Sequence, residues 1–191
     1  MPSPIAHGSI VMLAQPALGA AWRDSTKAQR VLISLMALFI CGMPDLDIFI
    51  GLARTGDAFA EHGYQTHSVL ISPVVGVGFA VLAAAIAPTF REKRSLFRAF
   101  LIGTALYALH VVMDYLTHDS RGVGVLWPLV PQRFASPVPL FVGVEHGEWW
   151  LWKQHVLTAS TELVFAAGVW FIGRRMLRSR WYRGGPLRSD R

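Results

Sequence analysis

One cysteine, Cys41, stands in 191 residues, inside an apolar run. It has no partner for an internal disulfide, no CxxC knuckle exists, and it reads as a small buried hydrophobe. Charge is sparse at 16%, against 53% apolar residues and a positive mean hydropathy. That balance excludes an ordinary soluble domain. No Lys or Arg precedes Arg23, so the chain lacks the basic start of a secretory signal. Internal repeats and low-complexity segments are absent too, and the length fits one domain over 1–178 with a basic tail at 179–191.

What is there is a series of apolar segments. Ser9 to Trp22 is short and interrupted by Pro16, and reads as a short or tilted helix on the bundle. After the basic connector 23–30, where Asp24 or Ser25 offers a cap, Val31 to Met43 forms a helix that Pro44 stops. His67 to Pro88, Ala99 to Thr117 and Trp150 to Leu177 are three further spans. A long loop, 118–150, rich in Gly, Pro and Trp, joins the last two. The expectation is an all-α integral membrane bundle of four to five helices.

Fourteen of the 18 Lys and Arg fall in residues 23–30, 91–98 and 174–191. The positive-inside rule places those clusters in the cytoplasm, and the alternation of spans is consistent with it. The arginine-rich tail then holds the last helix and touches anionic headgroups; nothing marks it as a nucleic-acid fold. By the same alternation, all seven histidines map to the outer side.

His110 and Asp114, four residues apart in an apolar helix, leave one face and can converge on one ion. Such a pair is also a common interhelical hydrogen bond. Its company favours the metal: Asp45 and Asp47 at the outer end of a span, and His62 and His67 in the outer loop, share its depth. Ionisable groups there are costly, and a cation offsets their repulsion. His118, Glu145, His146, Glu148 and His155 read as a polar rim. Glu162, inside the last span and one heptad beyond His155, reads as pairing with another helix.

Met1-Pro-Ser-Pro-Ile-Ala-His7-Gly, Pro44-Asp45-Leu-Asp47, His62-Gly-Tyr-Gln-Thr-His67-Ser, His110-x-x-x-Asp114 and Gly124-Val-Leu-Trp127-Pro128 recur together. In that order they resemble the YdjM-like family of bacterial inner-membrane proteins, described as membrane-bound metal-dependent hydrolases. That family is in turn thought to be distantly similar to the zinc-dependent phospholipase C and single-strand-specific zinc nuclease enzymes, which are all-helical. The resemblance implies His7, one of Asp45 and Asp47, His67, His110 and Asp114 as ligands, with Asp114 bridging. The later His-x-x-x-Glu pair of those enzymes is missing, since Gly122, Trp150 and Ala159 follow His118, His146 and His155 by four. One or two divalent ions, zinc above all, are therefore expected rather than three.

The resulting expectation is a multi-pass inner-membrane hydrolase, its site facing outward and its C-terminus cytoplasmic. Asp45 and His62 are the candidate catalytic residues, and a phosphoester, lipid-linked where the site meets the interface, is the expected substrate. A non-catalytic metal-binding or structural inner-membrane protein and a small transporter are the alternatives. Paired broken helices would mark transport, and Pro44 is a single break.

Overall fold

A computed structural model describes residues 4–118, 121–143 and 152–178. Glu145, His146, Glu148, the start of the N-terminal motif (Met1 to Ser3) and the tail 179–191 lie outside the described residues.

Three short helices open the chain: α1 (Pro4–Ser9), α2 (Val11–Ala17) and α3 (Ala20–Arg23). They occupy the stretch expected to be one short or tilted helix. Gly19, at φ 69°, makes the turn between the last two in the left-handed region that favours glycine. The next helix, α4 (Lys27–Gly42), starts earlier than hydropathy suggests, because a capping box closes its first turn. Thr26 Oγ1 accepts from Gln29 N, and the Gln29 side chain returns to Thr26 N. The cap is therefore Thr26 and not Asp24 or Ser25; Ser25 donates instead to Ala21 O at 2.6 Å.

Pro44 does not end the helical rod. It sits at the start of a 3-10 turn, Met43–Leu46, where its missing N–H costs nothing. Helix α5 (Asp47–Thr55) resumes directly, so Lys27–Thr55 is long and apolar enough to cross a bilayer. The same holds for α7 (Lys93–Tyr115) and for the C-terminal part, His155–Arg178, of α8 (Trp152–Arg178). Between them lies a shorter apolar helix, α6 (Ser72–Ile86). It begins five residues after His67, because 67–71 is a turn tied to the later loop by Val69 N donating to Val125 O.

Large apolar side chains stand exposed along every long helix, among them Leu35 and Phe39, Val74 and Val81, Phe97 and Leu101, and Val164 and Phe171. On a soluble protein such a surface would aggregate; here it is the face that meets lipid. The molecule is an all-α integral membrane bundle. Its few strand residues form a parallel two-residue pair, β1 (Thr117–His118) with β2 (Phe141–Val142).

Because lipid is as apolar as the helix faces, close packing and not hydrophobic burial must hold α6 to α7. Two glycines provide it. A Cβ on Gly103 would lie 2.6 Å from Phe79 Cβ and 3.1 Å from Gly76 Cα, and one on Gly76 would lie 2.7 Å from Phe100 O. Gly103→Leu is expected to push the helices apart and destabilise the protein by about 1–3 kcal/mol or more. A thermal melt in detergent would show it, and a melting temperature equal to the parent's would count against the close approach. The pairing matters to the site, since α7 carries His110 and Asp114.

Candidate metal centre

Each polar residue of the centre arrives by a different local device. Helical spacing puts His110 and Asp114 on one face of α7, toward the bundle interior, where they are 0% and 1% exposed. The 3-10 turn after α4 turns Asp45 toward that face. Its backbone is fixed by Thr66, whose hydroxyl donates to Pro44 O at 2.6 Å. Tyr107, one turn before His110, donates its phenol to Thr66 O and so ties α7 to the same loop. His7 is seated by α1, and the buried Cys41 thiol donates to His7 O at 3.1 Å. Cys41 is thus a buried residue whose thiol ties α4 to the backbone of His7.

Four side chains converge. Asp45, His67, His110 and Asp114 each offer one atom, all within 4.8 Å of one another. His67 Nε2 lies 3.5 Å from Asp45 Oδ1 and 2.9 Å from Asp114 Oδ2. His110 Nε2 lies 3.3 Å from Asp45 Oδ1 and 3.2 Å from Asp114 Oδ2. Ligand atoms at the corners of a tetrahedron with bonds of about 2.05 Å are about 3.3 Å apart, and these four separations of 2.9, 3.2, 3.3 and 3.5 Å bracket that value. The other Asp114 oxygen, Oδ1, lies 3.3 Å from His7 Nε2, and the His7 and His110 rings stack with centroids 3.8 Å apart.

Short distance alone would also describe hydrogen bonds, but the angles do not. His67 Nε2, both nitrogens of His110, and both oxygens of Asp114 are buried with no hydrogen-bond partner in acceptable geometry. Close atoms that do not aim at one another are what a shared cation between them requires. A buried polar group otherwise left unpaired costs several kcal/mol, roughly 1–3 each even for neutral groups. The donor set, imidazole nitrogen with carboxylate oxygen, suits zinc or a similar divalent ion.

Asp47 behaves differently. Its Oδ1 is 2.7 Å from His62 Nδ1, while Oδ2 accepts from Gly63 N at 2.8 Å and lies 2.9 Å from His67 Nδ1. Asp47, His62 and His67 are close enough to hold an ion themselves. Yet the Asp47 carboxylate is already satisfied by N–H donors, which leaves it the geometry of an orienting group. His67 Nδ1 lies between Asp47 Oδ2 and the Thr66 hydroxyl, 3.4 Å away, which leaves Nε2 at the four-residue cluster. His62 Nε2 sits 4.0 Å from Asp45 Oδ1, at the cluster's edge.

His7 and His67 lie outside the span-length helices. Burial pulls the His67 pKa down, but the carboxylates of Asp114, Asp45 and Asp47 outweigh it and push it up to about 10. Burial lowers the His7 pKa, and the neighbouring carboxylate of Asp114 opposes it only in part. The carboxylates thus demand positive charge at the His67 end of the cluster, and a divalent cation supplies it in place of a proton.

The expected ligands His7, Asp45, His67, His110 and Asp114 are brought together, with Asp47 and His62 behind and beside them. Among the rim residues, His118 is exposed on β1 and His155 half-buried on α8, and neither belongs to the two clusters. Glu162 is fully buried on α8, as is Thr158 one turn earlier, whose hydroxyl lies 3.4 Å from Gly143 O. Sequence reasoning missed Tyr107 and the Cys41 contact. A tyrosine three residues before His110 in an apolar helix was the available signal.

Loops 56–71 and 121–143 cover the cluster. Ser68 Oγ lies 2.5 Å from Trp127 O, Gly124 N donates to Gly63 O at 2.9 Å, and Arg133 donates to His62 O at 2.9 Å. The glycines and Trp127-Pro128 of the sequence motif thus hold the lid over His62 and His67.

No solved structure matches the chain. It is similar to the inner membrane protein YbcI of Escherichia coli (strain K12), 28% identical over 140 residues that cover 72% of this chain and 73% of that protein. Residues 5–181 match the family described as YdjM inner membrane protein, which takes in the described helices from the second residue of α1 onward and both His/Asp clusters, and the chain belongs to that family.

Proposed function

We propose that the chain is a metal-dependent hydrolase acting on a phosphoester at the outer face of the inner membrane. The observation that carries the reading is the set of buried, close, and hydrogen-bond-misaligned donor atoms of Asp45, His67, His110 and Asp114. Those residues would hold the first ion. His7 and the buried Asp114 Oδ1, 3.3 Å from His7 Nε2, would hold a second, with Asp114 shared between the two. When bound, a divalent ion supplies Lewis acidity toward a phosphoryl oxygen and an attacking water.

The chain's own residues supply the rest. Asp45 is the one acid of the cluster with an open side, its side chain 38% exposed, so the reacting group is met there. His62, held by Asp47 through Nδ1, turns Nε2 toward Asp45, 4.0 Å from its Oδ1, where it would take a proton and return it to the leaving oxygen. The loops over His67 limit water to the reaction's edge. The basic clusters at 23–30, 91–98 and 174–191 support an outward-facing site and a cytoplasmic C-terminus.

Elemental analysis and assay of the purified protein test this directly. About one to two divalent ions per chain are expected, with hydrolysis of bis(p-nitrophenyl) phosphate lost on chelation and restored by zinc. Protein that purifies without bound metal, with hydrolysis indifferent to chelator, would overturn the reading.

A further inference from the structure

The chain also indicates how a substrate reaches the centre. A cavity of about 270 Å³ is lined by His7, Gly8, Leu38, Cys41, Gly42 and Asp45. Its floor is the metal centre's open acid, and its walls are the α1–α4 seam. Leu38 of its lining belongs to an apolar stripe on α4. That stripe, Leu35, Leu38 and Phe39, is between 49% and 60% exposed. The 3- and 4-residue steps of these positions keep them on one side of the rod. Water does not border such a surface; acyl chains do.

Depth agrees. Asp45 lies 18 residues beyond Lys27, the first residue of α4. At 1.5 Å per residue that is roughly 27 Å along the rod, close to the hydrocarbon thickness of about 30 Å. With Lys27 and Arg30 at one headgroup layer, Asp45 stands at the other, the level of a lipid's phosphate. On the loop side the tied segments 56–71 and 121–143 cover His62 and His67, which are 7% and 0% exposed.

We infer that the centre takes a phospholipid sideways from the bilayer, its phosphoester at Asp45 and His7 and its chains along Leu38, Phe39 and the α1–α4 seam. The anionic phosphate is complementary to a cation held by the cluster, and the apolar stripe to the chains. Gly42 sets the width of the passage. A Cβ there would meet nothing within 4 Å, and its φ of −93° suits any residue. The glycine is therefore not demanded by packing or by backbone, but it leaves room beside Asp45. Gly8, whose Cβ would rest 3.4 Å from Leu38 Cδ1, is the opposite wall. What becomes of the bound lipid rests on the hydrolase reading; its docking does not.

The test uses the full chain, zinc-loaded, in vesicles doped with a phosphatidyl lipid that bears a diazirine next to its glycerol. A diacylglycerol with the same diazirine is the comparison. Photolabelling of the peptides that contain Gly8, Cys41 and Gly42 is expected with the phosphatidyl probe, at least about tenfold above the diacylglycerol. Gly42→Phe and the smaller Gly42→Leu should each lower it about tenfold or more, with zinc content and melting temperature as in the parent. Gly78→Phe, at an equally open helical position on α6, should leave it unchanged. Equal labelling by the two probes, or labelling unaffected in both Gly42 variants, would overturn the inference. Hydrolysis of a water-soluble diester without this labelling removes the lateral route and leaves the hydrolase standing. Labelling without any hydrolysis does the reverse.

Discussion

Asp114→Asn should strip the centre of metal and abolish hydrolysis, a fall of more than about 100-fold in metal affinity. The size follows from position: groups that merely orient ligands are each worth about 10–100-fold, and Asp114 touches more of the cluster than any of them. Its Oδ2 lies 2.9 Å from His67 Nε2 and 3.2 Å from His110 Nε2, and its Oδ1 3.3 Å from His7 Nε2. Asparagine keeps the volume and one acceptor oxygen, so the helix need not repack. It removes the negative charge and sets an amide N–H₂ where the second carboxylate oxygen would face a cation. Competitive titration against a zinc dye would give the affinity, and circular dichroism would confirm the fold. A variant that binds zinc like the parent would take Asp114 out of the centre. His110→Ala should lose metal to a similar extent, but it also opens a cavity on α7, which makes the asparagine the cleaner experiment.

Much of this was readable before any coordinates. The pairing of His110 with Asp114 depends only on helical spacing, and the apolar run around them made a helix the natural reading. The apolar bundle follows from composition and span length in the same way. Helix ends were less legible. Hydropathy begins the third long span at Ala99, whereas α7 begins at Lys93. Hydropathy marks where a helix can sit in lipid, but Lys93, Arg94 and Arg98 extend it into the headgroups, where charge costs little. Pro44 reads as a stop because a proline pushes the residue before it away from helical angles; Met43 nevertheless keeps φ −58° and ψ −36°, and the 3-10 turn continues the rod. The approach of Cys41 and Tyr107 to the site depends on how α1, α4 and α7 pack. No local pattern carries that information.

Asp45 and Asp47 show the limit most clearly, since two aspartates so close in sequence look equivalent as candidate ligands. The junction between the 3-10 turn and α5 separates them: Asp45 faces His110 and the cavity, while Asp47 faces His62 and the Gly63 amide. The two substitutions should therefore differ in kind. Asp47→Asn keeps an acceptor for Gly63 N but weakens the hold on two imidazoles at once. His67 then loses the negative charge 2.9 Å from its Nδ1, and His62 the carboxylate that would stabilise it when protonated. Zinc affinity should fall about 10–100-fold, with the metal still bound at saturating concentration. At that saturation, hydrolysis should stay below the parent's, because the His62 defect does not depend on occupancy. Asp45→Asn should instead lose metal outright, like Asp114→Asn. Zinc titration followed by rates at full occupancy separates the cases. If Asp47→Asn recovers the parent's rate once zinc is saturating, His62 does not move the proton, and Asp47 serves the metal through His67 alone.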